Sequence, residues 1–205
     1  MSTDGTDDAD ARLTLRHELR QRRRDLDPSE RHRAARELVT RLVGLLGGRA
    51  PGTLGTYLPT DGELDPTLAV DELRARGWST MLPIVRPGRS MWFAPWDGAE
   101  ALAPNRYGIE EPAAPTELVA PTDLDVVLVP CVGVDPRGNR LGFGAGYYDR
   151  AFSVEADPTL HTLLVAVVFE AQIVDTLERQ PWDVPLDVIV CPSATIPTGA
   201  RSRPV

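Results

Sequence analysis

The hydrophobic pattern opens at helical spacing and then changes to short apolar runs that alternate with helical stretches. Residues 12–26 read as an arginine-rich helix. A second helix is marked at its start: Asp27 can cap, Pro28 suits the first helical position and Glu30 completes a capping box. Ala35, Leu38, Leu42 and Leu45 fall on one face of it, and Gly47 and Gly48 supply the stop. Residues 53–58 then read as a strand and 66–76 as a helix ended by Gly77. Residues 80–85 and 91–96 pair as strands around a turn at Pro87 and Gly88. Residues 97–123, rich in Pro, Ala and Glu, read as a long and partly irregular connection. Residues 124–129, apolar but for Asp125, and the continuous apolar run 163–168 show the pattern of strands buried on both faces of a parallel sheet. A helix starting near Gly146, a short helix over 171–177 and a last strand over 188–190 complete the series. Strands alternating with helices predict an α/β fold with a mainly parallel central sheet. One domain is expected over residues 12–196, between a disordered acidic tail (1–11) and a disordered C-terminal tail (197–205).

Composition narrows the chemistry. The net charge of −8 argues against a broad nucleic-acid or anionic-membrane surface, so any anion site must be local. All 22 basic residues are arginine. Without lysine there is no Schiff base, no pyridoxal attachment and no P-loop lysine. Phosphate would have to be held by backbone N–H groups, arginine and a metal ion. His17, His32 and His161 neighbour neither a nucleophile nor another ligand at metal spacing, and read as surface residues. Cys131 and Cys191 end apolar runs, form no CxxC motif and read as buried reduced thiols. No apolar run approaches the ~20 residues that span a bilayer, and the acidic N-terminus is unlike a signal peptide. A cytoplasmic protein is expected.

The segment from Asn139 to Asp149 concentrates the candidate chemistry. Gly142, Gly144 and Gly146 sit two apart, with Arg140 before them and Asp149 after. Such glycines let backbone N–H groups converge on an anion, an arginine can fork onto phosphate oxygens, and an aspartate can hold Mg²⁺. The interval from Gly144 to Gly146 is too short for the dinucleotide fingerprint. Two readings stand on the residues alone: a phosphate-cradling loop, or a glycine-rich turn that binds nothing. Asp135-Pro136-Arg137-Gly138 upstream reads as a β-turn, the alternative being that Asp135 faces the site.

At these residues the chain resembles the 5-formyltetrahydrofolate cyclo-ligase (5,10-methenyltetrahydrofolate synthetase) family. VPCVGVDPRGNRLGFGAGYYDR is similar to the family signature over its whole length. LRHELRQRRRDLDPSER resembles its N-terminal helix pair, TYLPTDGELD its substrate loop and YGIEEP its mid-chain motif. VVFEAQIVDTL followed by WDVPLD resembles its C-terminal part, so the likeness runs over residues 12–192. The resemblance implies a three-layer α/β/α fold. It implies conversion of 5-formyltetrahydrofolate and ATP into 5,10-methenyltetrahydrofolate, ADP and phosphate, with Mg²⁺. It also implies small-molecule partners; with the charge balance, no nucleic-acid or membrane partner is expected, and a monomer is expected.

Site roles carried by the resemblance are as follows. Arg12 and Arg16 match the basic pair that contacts ATP, with Arg12 where relatives can carry lysine. Independently, Arg12, Arg16, Arg20 and Arg23 share one helix face, and a solvated basic face suits Arg20 and Arg23 better. Arg140, Leu141, Gly142, Phe143, Gly144, Ala145, Gly146, Tyr147 and Tyr148 match the ATP loop, with Phe143 to Tyr147 also bordering the folate. Phe143 and Ala145 stand where some relatives carry basic residues. Glu63, Leu58 and Tyr107 fall on the folate side; Arg140 and Glu63 are the candidate catalytic residues. Asp149 and Asp183 match the magnesium-associated aspartates, Asp183 following Trp182 where the family commonly has histidine. Two other functions remain open on the sequence: a paralogue using ATP on another amide or carboxylate, and a non-catalytic folate or nucleotide module.

Overall fold

The computed structural model describes residues 4–153 and 161–200. Helix α1 (Asp4–Arg24) leads by a tight turn into α2 (Pro28–Leu46). The cap of α2 forms as its sequence predicts: Ser29 N donates to Asp27 Oδ1 at 2.7 Å, and Asp27 N donates to Glu30 Oε2 at 3.1 Å. Its fully buried face is Leu38, Leu42 and Leu46, with Leu45 only partly covered. Residues 4–11, expected as a disordered tail, are helical. Once α1 is fixed by its arginines, each further residue adds a hydrogen bond without a new nucleation cost.

The chain continues through β1 (Thr53–Gly55), α3 (Thr67–Ala75), β2 (Ser79–Val85) and β3 (Met91–Pro95). The connection expected to be irregular holds a small hairpin, β4 (Leu102–Pro104) with β5 (Glu110–Pro112). Pro104 and Pro112 at its strand ends hid it, because proline breaks the strand pattern. Then come β6 (Val126–Pro130), the short pair β7 (Gly133–Val134) and β8 (Arg140–Leu141), and α4 (Tyr147–Ala151). Strands β9 (Leu163–Val167), β10 (Val188–Cys191) and β11 (Ala194–Pro197) close the fold. The sequence pattern missed β11, an antiparallel edge strand with no apolar alternation. The helix expected over 171–177 is a single 3₁₀ turn, Glu170–Gln172. Beyond it the backbone is drawn into other bonds: Val174 N donates to Val134 O and Leu177 N to an Asp135 carboxylate oxygen, both at 2.9 Å. Thr198 Oγ1 donates to Leu186 O at 2.6 Å, so residues 198–200 are tied to the body and not a free tail; 201–205 lie outside the described residues.

The seven-stranded sheet runs β11-β10-β9-β6-β1-β2-β3, with β10, β9, β6, β1 and β2 parallel and an antiparallel strand at each edge. Successive residues of β6 alternate between two cores. Val126 and Leu128 face α2 and α3 with Leu54, Val165 and Val190. Val127 and Val129 face the opposite side with Phe93, Phe152 and Leu186. The three-layer α/β/α expectation therefore holds, with the second helical layer reduced to α4 and packed loops. Helix α1 lies apart and buries Leu19 against Val132, Leu141 and Leu177.

From β1 the chain passes to β2 on one side and later to β6 on the other. This is a topological switch point, where the loops leaving the carboxyl ends of β1 and β6 diverge and leave a crevice. Tyr57 and Leu58 leave β1 into that crevice, and Pro130 leaves β6 into it.

Candidate active site

The crevice opens into a cleft of about 1170 Å³. Helix α1 forms one wall. Arg12 Nη1 donates to Glu178 O at 2.7 Å, and its Nη2 lies 3.7 Å from Asp183 Oδ2. Arg16 Nε donates to Gly142 O at 2.9 Å, fixing the helix to the glycine loop. Arg20 Nε donates to Asp61 Oδ2 at 2.7 Å, while Arg23 donates to Asp61 O at 3.0 Å and to its Oδ2 at 2.9 Å. Arg23 is fully buried. The solvated role expected for Arg23 is thus overturned, while Arg20 stays partly exposed but is held by Asp61 as well; both guanidinium groups lie over the Phe143 ring, at 5.5 and 5.7 Å.

The loop after β1 forms the floor. Tyr57 Oη donates to Leu64 O at 2.6 Å, bracing the turn from inside. Asp61 adopts a left-handed backbone (φ 51), as does Arg89 on the β2–β3 turn (φ 59); both line the cleft. Such backbone is uncommon for residues other than glycine and gathers where a site holds it in place. Asp61 here serves as the anchor for Arg20, Arg23 and Arg24. Glu63 is buried, and its Oε2 accepts from Thr60 N at 3.0 Å. Burial raises its pKa to about 6, against the Thr60 hydrogen bonds and the nearby Arg23 charge, which lower it.

The segment from Arg140 to Asp149 forms the opposite wall. Gly144 (φ 100) and Gly146 (φ 65) take backbone closed to most residues, which turns the loop sharply into α4. With five residues, α4 contributes little dipole, so an anion at this loop would rest on the loop's own N–H groups. Arg140 is buried and donates to Asp149 Oδ1 and to Val184 O; Val184 N also donates to Asp149 Oδ1, at 3.1 Å. Leu141, expected to touch nucleotide, points away and packs on Leu19, Val132 and Leu177. Its alternation with Arg140 along β8 places only one of the two on the cleft side. Tyr147 hydrogen-bonds Tyr107 across 3.1 Å between hydroxyls, with the rings edge to face. Arg106 also donates to the Tyr147 hydroxyl. Tyr148 stacks on Phe152, anchoring α4 in the core.

Every other candidate named from the sequence lines this one cleft: Arg12, Arg16, Leu58, Glu63, Tyr107, Arg140, Gly142 to Asp149, and Asp183. Asp183 Oδ2 accepts from Gln180 N at 3.0 Å. Asp149 and Asp183 are the acidic oxygen donors at the glycine-loop end, and the described residues contain no cluster of three or more His, Cys, Asp or Glu fit to hold a metal. The three histidines are exposed and stand outside the cleft. Asp135 is buried in its own turn, accepting from Asn139 N and Leu177 N, and does not reach the cleft. Sequence reading missed Asp61, Arg89, Arg150 and Arg179 as lining residues. The Asp61-Gly62 pair was a legible turn signal, Arg89 follows the turn expected at Pro87 and Gly88, and Arg150 ends the glycine-loop signature; Arg179 carries no signal.

Comparison with known proteins gives a single answer. Residues 8–192 match the sequence profile of the 5-formyltetrahydrofolate cyclo-ligase family. The 5-formyltetrahydrofolate cyclo-ligase of Escherichia coli K12 is 32% identical over 178 residues, covering 85% of this chain and 97% of that protein. The enzyme of that name from Mycolicibacterium smegmatis is 32% identical over 191 residues, covering 89% of this chain and 94% of its own. The NMR structure of Aquifex aeolicus 5,10-methenyltetrahydrofolate synthetase superposes with a TM-score of 0.77 at 30% identity, covering 91% of this chain and 92% of that one. A methenyltetrahydrofolate synthetase structure from Mycoplasma pneumoniae shares the fold, with a TM-score of 0.71 at 24% identity, over 88% of this chain and 98% of the other. The chain belongs to the 5-formyltetrahydrofolate cyclo-ligase family.

Proposed function

We propose that the protein converts 5-formyltetrahydrofolate and ATP into 5,10-methenyltetrahydrofolate, ADP and phosphate, with Arg140–Asp149 as the wall between the two substrates. The observation that carries this division is the reach of that loop. Arg16 holds it at Gly142 on the nucleotide side, while Phe143 leans on Arg20 and Arg23 beside Glu63 on the folate side.

The reaction needs no covalent nucleophile on the protein. The formyl oxygen attacks the γ-phosphorus, and the bond to the bridging oxygen breaks to release ADP. N10 then adds to the activated formyl carbon, loses its proton, and phosphate departs as the ring closes. The protein's part is to align two anionic substrates, spread the phosphoryl charge and keep water from the phosphorylated intermediate. Arg12, Arg16 and the loop N–H groups suit the phosphates. Arg140 fixes Asp149 against Val184, and Glu63, Leu58, Tyr107 and Tyr147 suit the folate.

Asp149 and Asp183 are hard oxygen donors of the kind Mg²⁺ takes, and one or two carboxylates suffice where substrate phosphates and water complete the shell. Mg²⁺ held there would neutralise charge on the phosphate oxygens. The test is stoichiometric: one ADP and one phosphate per methenyl product, and no ADP without formylfolate. ADP release that is independent of formylfolate would refute the assignment and favour a paralogue acting on another amide or carboxylate.

A further inference from the structure

Arg23 is the largest fully buried side chain of the described residues, yet its guanidinium is incompletely bonded. Nε and Nη2 are taken by Asp61. Nη1 has no hydrogen-bond partner, and the atom it faces, Glu63 Oε1, has none either. The two stand 3.7 Å apart, too far for a hydrogen bond and close enough for strong Coulomb coupling out of water. Burying such a pair without closing the bond is costly, and an apolar pair would pack the same space more cheaply. Arg23 itself is sealed from the cleft that Glu63 lines.

We propose that Arg23 is the positioning residue of the folate end, holding Glu63 as a carboxylate directed at the substrate. This rests on the placement of Glu63 on the folate side. The second oxygen of Glu63 is pinned by Thr60, so Arg23 governs the free one. The titratable groups around Glu63 are Arg23 from α1, Asp61 from its own loop, Tyr57 after β1, Cys131 after β6 and Tyr148 on α4. Of these, Arg23 alone is a cation. It opposes the burial that raises Glu63 to about 6; removing its charge therefore moves the carboxyl higher and leaves it largely protonated near neutrality.

The experiment is the pH dependence of formylfolate affinity, measured on the full chain without ATP, for wild type, Glu63→Gln, Arg23→Met and Arg23→Lys. Wild type should lose affinity below about pH 6, and Glu63→Gln should lack that limb. In Arg23→Met the limb should move up by about one pH unit or more, so that affinity lost at pH 7 returns in more alkaline buffer, with ATP affinity changed less than about twofold. Arg23→Lys keeps the charge without the fork and should keep the limb near its wild-type place. An unmoved limb in Arg23→Met overturns the proposal, and so does a pH-independent loss of both ligands. Should Arg23→Met fail to fold, Arg23→Lys decides: a limb displaced as far as a full pH unit despite the retained charge overturns it. A wild type that binds no formylfolate at any pH refutes the folate reading itself.

Discussion

At the scale of single residues, the cleft is built from groups that would be unfavourable elsewhere. Glu63 is the clearest. Its folded pKa, about 6, lies above the ordinary value of 4.5, so the folded protein keeps a proton that the unfolded chain has already lost. The stability it contributes is full below pH 4.5 and is lost as pH rises through about 6. Glu63→Gln should therefore gain stability relative to wild type across that window, by on the order of 2 kcal/mol, while losing turnover. Thermal melts at pH 4.5 and 7 measure it; a pH-independent difference would contradict the assigned burial. Asp149 makes a second case. Its Oδ1 is shared by Arg140 and Val184 N, so Asp149→Ala removes the proposed metal donor and also releases Arg140. Turnover should fall by about 100-fold or more, and added Mg²⁺ should not restore it. Two glycines separate shape from contact. A Cβ on Gly142 meets nothing within 4 Å, and Gly142 lines the cleft without left-handed backbone. Gly142→Ala should raise the KM for ATP with an unchanged Tm. Gly144 also has open space but sits at φ 100, so Gly144→Ala should lower Tm by straining the loop.

At the scale of elements, α1 is the part that the sequence understated. Its arginines at i, i+4, i+8 and i+11 were legible as a stripe, but a stripe alone does not say what it faces. The answer lies in Asp61, 38 residues from Arg23 in sequence and bonded to it in the fold. Pairing across such a separation leaves no local periodic signal. Asp61→Ala should cost about 3 kcal/mol, roughly 6–12 °C in Tm, by stranding buried Arg23. It should also speed amide exchange in α1, and unchanged exchange there would contradict the clamp. Capping chemistry made α2 readable to the residue, and the apolar runs made β6 and β9 readable, because burial on both faces leaves no polar position. β4, β5 and β11 were not readable, since edge and hairpin strands with proline carry weak patterns. The helix expected over 171–177 failed because long-range bonds from Val174 and Leu177 override local propensity.

At the scale of the whole molecule, charge is sorted. The chain carries a net charge of −8, yet seven arginines and five carboxylates line the cleft. An anionic surface around a locally cationic cleft directs anions to one place and repels them elsewhere. Added salt should therefore raise the KM for both substrates, ATP more steeply, with little change in kcat. The absence of lysine fits this sorting, because arginines at fixed positions can hold backbone carbonyls and carboxylates while leaving a net positive field. The switch point between β1 and β6 places that field at the carboxyl end of the sheet, and in the proposed function the glycine loop divides it between two substrates. That division is the central claim. Its most direct test mixes the protein with ATP and 5-formyltetrahydrofolate and follows the absorbance of the methenyl product, with Mg²⁺ present and then chelated. A rise in absorbance that needs ATP, stops on chelation and resumes when Mg²⁺ is restored is the predicted result. No ATP-dependent rise from folded protein, with Mg²⁺ in excess, would contradict it.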